Sequence, residues 1–240
     1  MSIVFVLIVG LVAGTISGIV GTGSSIMLVP LLVLSFGPQQ AVPIMAIAAV
    51  MANLARILSW WREIDWRACV AYAVTAAPAA ALGAGTLLIL PARLIDGALG
   101  AFFIAMIPLR RWLTARRLTA RLWHLALFGA VIGYLTGIVA STGPISVPLF
   151  LAYGLVRGGF LATEAAGSLA VYVAKAATFR QLGALPLEVI ARGLVVGASV
   201  MAGSFVAKRF VLHLDPDRFR LLMDGLMLVS GGALIWAALR

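Results

Sequence analysis

Charge is missing from the start of this 240-residue chain: its first charged side chain is Arg56, so 55 residues pass without one. Read as one helix, that run would extend roughly 80 Å at ~1.5 Å per residue. A bilayer's hydrocarbon slab is about 30 Å thick, so the run crosses more than once, or crosses and re-enters. Cysteine is nearly absent too. The single Cys69 excludes a disulfide within the chain and a CxxC redox pair. Histidine is scarce, and His124 and His213 both lie beside basic stretches. No spacing of metal ligands occurs, and no phosphate-binding loop of an ATPase, so no metal, cofactor or nucleotide is expected. No basic segment precedes the first apolar run, so the start is not expected to be a signal peptide. "GTGS" (21–24) is similar to the glycine–serine setting of an intramembrane protease. A serine nucleophile needs a base within reach, and neither histidine falls in a helix core, so an enzyme is not expected.

What is present is apolar. Hydrophobic residues make up 63% and charged ones 11%, with a mean hydropathy of +1.11. Soluble domains are nearer half apolar and a quarter charged. Further uncharged runs cover 68–92, 125–156, 193–207 and 225–239. The pattern predicts an all-α polytopic membrane protein. The net charge of +10 then reflects the excess of Lys and Arg on the cytoplasmic side of a membrane protein, not nucleic-acid binding. The six tryptophans cluster near predicted helix ends, as an aromatic belt does.

The two halves resemble one another. "GLVAGTISGIVGTGSSIMLVP" (10–30) lies over "GAVIGYLTGIVASTGPISVP" (129–148). Gly10, Gly14 and Gly18 match Gly129, Gly133 and Gly137; Ser17 matches Thr136, and Pro30 matches Pro148 after a one-residue gap. The same offset sets Asn53 over Tyr172 and Arg56 over Lys175. The reading is two pseudo-symmetric repeats, 1–113 and 123–240, joined by a basic cytoplasmic connector at 114–122. Each has about four transmembrane helices plus a short broken helix. Predicted helices cover 3–20, 26–36, 41–61, 68–90 and 94–112, then 124–140, 144–155, 160–180, 189–208 and 218–239. "FGPQQ" and "VRGG" read as turns.

Five segments per half make the repeats inverted. With the connector inside, twelve bases then lie inside and four outside, leaving Arg56 and Lys175 within segments. Four crossings per half make the repeats parallel, with ten inside, five outside and Arg157 stranded. The bias favours inversion, with both termini opposite the connector. Duplicated halves are a common plan of secondary transporters, with the site between the repeats.

Both glycine-rich breaks have the features of a helix start. Ser24 or Ser25 can cap the helix near Ile26, and Thr142 or Gly143 can cap one that has Pro144 in its first turn. A helix that begins inside the bilayer presents backbone N–H groups and a partial positive charge, and such backbone is tolerated where it lines a cavity. This suits a small anion. Close helix packing is the competing reading, and Gly10, Gly14 and Gly18, spaced by four, fit it. Substrate-binding candidates are Thr22, Gly23, Ser24, Ser25, Asn53, Arg56, Ser141, Thr142, Gly143, Tyr172 and Lys175. Arg56 and Lys175 could instead extend toward the lipid interface. Glu164 is a candidate proton carrier or a helix cap, and a buried lysine can also release a proton. Expected partners are a small anion, the lipid bilayer, a candidate coupling proton and, as an allowed assembly, a second copy of the chain as a homodimer; nucleic acid is not expected.

"GLVAGTISGIVGTGSSIMLVPLLVLSFG", repeated as "GAVIGYLTGIVASTGPISVPLFLAYG", resembles the TauE/SafE sulfite exporter family of bacterial membrane permeases across nearly the whole chain. The resemblance implies secondary transport of a small sulfur-containing anion, such as sulfite, sulfoacetate or another organosulfonate, across the inner (plasma) membrane. A small-anion channel is the alternative; an intramembrane enzyme or assembly factor fits less well. Members of the family commonly read Gly-x-Gly-Gly-Gly in the first break. Here Ser24 and Ser25 replace the last two glycines, and Pro144 stands in the second break, which leaves the choice of anion open.

Overall fold

The computed structural model describes residues 3–20, 24–115, 119–139, 142–207 and 216–239. Among these the chain is helical and has no strand. The helices are α1 (Ile3–Val20), α2 (Ser24–Phe36), α3 (Pro38–Trp60), α4 (Trp66–Ile89), α5 (Ala92–Ala115), α6 (Leu122–Ile138), α7 (Gly143–Ala152), α8 (Arg157–Gln181), α9 (Leu187–Ala207) and α10 (Pro216–Leu239), with a 3-10 turn at Trp61–Glu63. Four stretches of described residues are long and apolar enough to cross a membrane: Gln39–Glu63, Trp66–Ile89, Ala92–Leu109 and Leu187–Ala207. Shorter apolar helices cover Phe5–Gly18, Leu122–Ile138 and Gly143–Ala152.

The helix ends follow local chemistry. Asp65 caps α4, its carboxylate accepting from the backbone N–H groups of Arg67 and Ala68. Gly37, at φ 75°, turns the chain between α2 and α3 in a conformation that favours glycine. One expected turn is corrected. The diglycine 158–159 lies inside α8, because a Cβ at Gly158 would meet the Trp60 ring at 2.4 Å. The pair permits close packing; the turn itself sits just before it, at Tyr153–Gly154, with Gly154 at φ 103°.

Glycine contacts fix how the helices run. Gly10 lies against Val196 and Ser199, Gly14 against Val200, and Gly18 against Ser204 and Ala207, so α1 runs parallel to α9. Gly129 meets Tyr72 and Thr75, Gly133 meets Ala76, and Gly137 meets Ala80 and Ala84, so α6 runs parallel to α4. Gly193 meets Ile44 and Ile47, and Gly197 meets Ala48 and Met51, so α3 is parallel to α9 as well. Two other pairs are antiparallel. In α5 and α10, Arg93 donates to the Ala238 carbonyl while Arg111 reaches Asp224. In α3 and α8, Trp60 faces Gly158 while Arg56 reaches Glu164.

Since α1 and α3 both run with α9, α2 returns between them. A helix of its 13 residues is about 20 Å long, against about 27 Å for the 18 residues of α1, so it brings the chain most of the way back. α1 and α2 thus run antiparallel, with Ser24 at the start of α2 beside Ser17 of α1. α3 is the centre of the bundle: 67% of its apolar window is buried, against 33% for α4 and for α5. The outer face of α4 presents Val70, Val74 and Leu82, a surface suited to lipid.

Candidate functional site

The helix starts that follow the two breaks reach one cavity, which encloses about 460 Å³ counting its open mouth. It is lined by Ser17 of α1, Ser24 and Ser25 of α2, Thr136 of α6, Thr142, and Gly143 and Ser146 of α7. α3 (Asn53, Arg56), α4 (Tyr72) and α8 (Glu164, Ser168, Tyr172) complete the lining. The lining is rich in hydroxyl groups although the helices that carry it are apolar. Polar groups at that depth are costly unless they are hydrogen-bonded or functional.

Of the residues expected from sequence, Ser24, Ser25, Asn53, Arg56, Thr142, Gly143 and Tyr172 meet at this cavity. Thr22, Gly23 and Ser141 lie outside the described residues. Ser24 and Ser25 are not caps, because α2 already begins at Ser24; the Ser24 hydroxyl donates to that of Ser17 at 3.4 Å. Thr142 stands at the N-cap position of α7 without capping through its side chain. Its hydroxyl instead shares a hydrogen bond with that of Thr136, which ties the second break to the end of α6.

Arg56 is 7% exposed and Lys175 is 0% exposed, which rules out extension of either to the lipid interface. The two are not used alike. Arg56 donates from Nη1 to Glu164 Oε2 at 2.8 Å and from Nη2 to Asn53 Oδ1. Lys175 is not among the cavity-lining residues. Its ammonium donates to the carbonyls of Thr136 and, at 2.8 Å, Val139, with the Phe179 ring 5.7 Å away. It therefore holds the C-terminal end of α6, where carbonyls lack helical partners and a cation is favoured. The expectation that both bases face one central cavity holds for Arg56 only.

Glu164 lies well inside α8 and is 2% exposed, so it is no helix cap. Its Oε1 accepts from the hydroxyls of Ser168 at 2.8 Å and Ser146 at 3.1 Å. Sequence reasoning did not place Ser17, Tyr72, Thr136, Ser146 or Ser168 at the site. A signal existed for Ser17 and Thr136, which are small hydroxyl residues matched between the halves just before each break. Ser168 follows Glu164 by one helical turn and shares its face. For Tyr72 and Ser146 no local signal exists. Among the described residues no group of three or more His, Cys, Asp or Glu side chains could hold a metal ion.

Comparison with known proteins follows the same lines as the geometry. A family model described as "Sulfite exporter TauE/SafE" matches residues 6–234. The chain is 25% identical over 257 residues to the "Probable membrane transporter protein YjnA" of Bacillus subtilis (strain 168), an alignment that covers 97% of this chain and 99% of that protein. No solved structure matches the chain.

Proposed function

The chain belongs to the TauE/SafE sulfite exporter family of membrane transporters, and from that premise and the cavity we propose that it is a secondary transporter of a small, sulfur-containing anion such as sulfite, sulfoacetate or another organosulfonate. It is a multi-pass protein of the bacterial plasma membrane, and a family of permeases is in keeping with a protein that is not an enzyme. The observation that carries the substrate class is the convergence of Arg56 with the starts of α2 and α7 at one buried cavity. Helix starts favour anions through backbone N–H groups and the helix dipole. A guanidinium supplies a full charge and can hold an oxyanion through two parallel hydrogen bonds.

The packing supports two inverted repeats, 1–113 and 123–240, joined at 114–122. Partners exchange between the halves: α1 lies along α9 as α6 lies along α4. The matched helices α3 and α8 run antiparallel, as do α5 and α10. A two-fold relation between antiparallel mates has its axis across the helices, in the membrane plane, which is the arrangement of inverted repeats.

The reading is tested by titrating purified protein with sulfite, sulfate, thiosulfate, sulfoacetate and acetate. Saturable binding of a sulfur oxyanion, lost in Arg56→Gln, is the expected result. Binding of none of them, or binding indifferent to Arg56, contradicts it.

A further inference from the structure

Anion transport accounts for Arg56 but not for the acid beside it. Glu164 is buried at the same cavity, and Arg56 donates to it at 2.8 Å. The guanidinium thus already holds an anion, one that belongs to the protein. A substrate anion and the Glu164 carboxylate compete for the same N–H donors. A carboxylate that loses its cation at this depth is strongly disfavoured, because removing one partner of a buried pair leaves an uncompensated charge. A proton removes that charge. The surroundings suit the neutral acid as well as the anion: the hydroxyls of Ser146 and Ser168 donate to the carboxylate and can accept from a carboxylic O–H.

Other charged and titratable groups are placed so that they do not substitute for this proton. From α3 come Arg56 and neutral Asn53, and from α7 neutral Ser146. α4 brings Tyr72, a phenol that lines the same cavity. α6 brings the hydroxyl of Thr136. Glu63 and Asp65 lie at the N-terminal end of α8, the end that carries Glu164, against Gly158 and Thr163; both are acids, and the Asp65 carboxylate is engaged by the backbone N–H groups of Arg67 and Ala68. On α8 itself, Tyr172 lies about two turns along, and Lys175 about three turns along is engaged by the α6 carbonyls.

We propose that Glu164 is the proton-binding group of the transport cycle: it takes up a proton as the substrate anion replaces it on Arg56, so that proton and anion travel together. This rests on the anion-transport reading above. The exchange balances. Carboxylate paired with guanidinium, plus a free anion and a proton, becomes carboxylic acid plus anion paired with guanidinium; the net charge of the site does not change for a singly charged anion and falls by one for a doubly charged one such as sulfoacetate. For a singly charged anion the transported unit is neutral, and a proton gradient drives it.

The test is calorimetry on the full-length protein in lipid nanodiscs with sulfoacetate, whose acidic groups stay ionised above about pH 6, in buffers of different ionisation enthalpy. The wild type is expected to take up about one proton per anion bound, with affinity falling by up to about tenfold for each unit that the pH rises. Glu164→Gln is expected to bind with no proton uptake and a flat pH profile. Binding by the wild type without proton uptake overturns the proposal and leaves the transport reading intact, and so does an unchanged pH slope in Glu164→Gln. Should Glu164→Gln fail to fold, the wild-type proton count decides alone. Absence of binding by the wild type at every pH overturns the transport reading, and this proposal with it.

Discussion

Gly133→Ala tests how α6 is held against α4. Gly133 faces α4 where the two backbones nearly touch: a Cβ there would lie 2.1 Å from the Ala76 carbonyl oxygen and 2.7 Å from its carbonyl carbon. Ordinary contact begins at 3.4 Å, so the α4 backbone would have to retreat by about 1.3 Å. No side chain can rotate away, because the obstacle is main chain. A gap of about 1 Å forfeits up to half of the dispersion attraction between neighbouring atoms, and overpacking of this kind costs about 1–3 kcal/mol. Alanine returns up to about 1 kcal/mol through helix propensity, so a net loss of roughly 1–2 kcal/mol is expected. For a chain of this size that lowers the melting temperature by roughly 2–8 °C. Gly232→Ala is the control, since nothing lies within 4 Å of its Cβ position; it should be neutral or slightly stabilising. Thermal unfolding of both variants in detergent, followed by loss of the monodisperse species, reads the difference. If Gly133→Ala melts at or above Gly232→Ala, the close approach of α4 and α6 is wrong.

Arg56→Lys keeps the charge but loses the planar fork shared between Glu164 and Asn53, so affinity for the transported anion should weaken about tenfold, or 1.4 kcal/mol, in the same binding titration. Lys175→Met leaves the Thr136 and Val139 carbonyls without their ammonium donor and should lower thermal stability by about 1–3 kcal/mol; a melting temperature equal to wild type would show that the ammonium does not hold α6. Gly143→Val should abolish transport while the protein still elutes as a folded species, because a branched side chain would project where α7 opens into the cavity; retained transport returns that break to a packing role. Cysteines introduced at position 2 and at Ala120, with Cys69 buried as background, should be labelled by a membrane-impermeant thiol reagent from opposite faces; labelling from the same face contradicts the inverted arrangement.

Much of the plan was legible because it rests on local pattern. The glycine spacing at 10, 14 and 18 and at 129, 133 and 137 marks two close helix contacts, and both exist. The polar breaks mark two helix starts, and both reach the cavity. What local pattern could not give is which way a long side chain turns. Arg56 and Lys175 occupy matched positions, yet Arg56 swings to an acid 108 residues away. At the position matched to Glu164 the first half carries Met45, a buried apolar residue, so Lys175 has no such acid facing it and settles on carbonyls. The diglycine 158–159 misled for a related reason. Glycine serves turns and close packing equally well, and only the neighbouring Trp60 and Glu63 tell the two apart.

Counterflow in proteoliposomes tests the central claim most directly. Vesicles are loaded with an unlabelled anion from the panel of sulfite, sulfate, thiosulfate, sulfoacetate and acetate, and uptake of the same anion in labelled form is followed from outside. Saturable exchange of at least one sulfur oxyanion, abolished in Arg56→Gln and absent from empty liposomes, is the predicted result. Flux that rises without saturation would make the protein a channel. No exchange of any of these anions, or exchange undiminished in Arg56→Gln, would contradict an anion transporter built around Arg56.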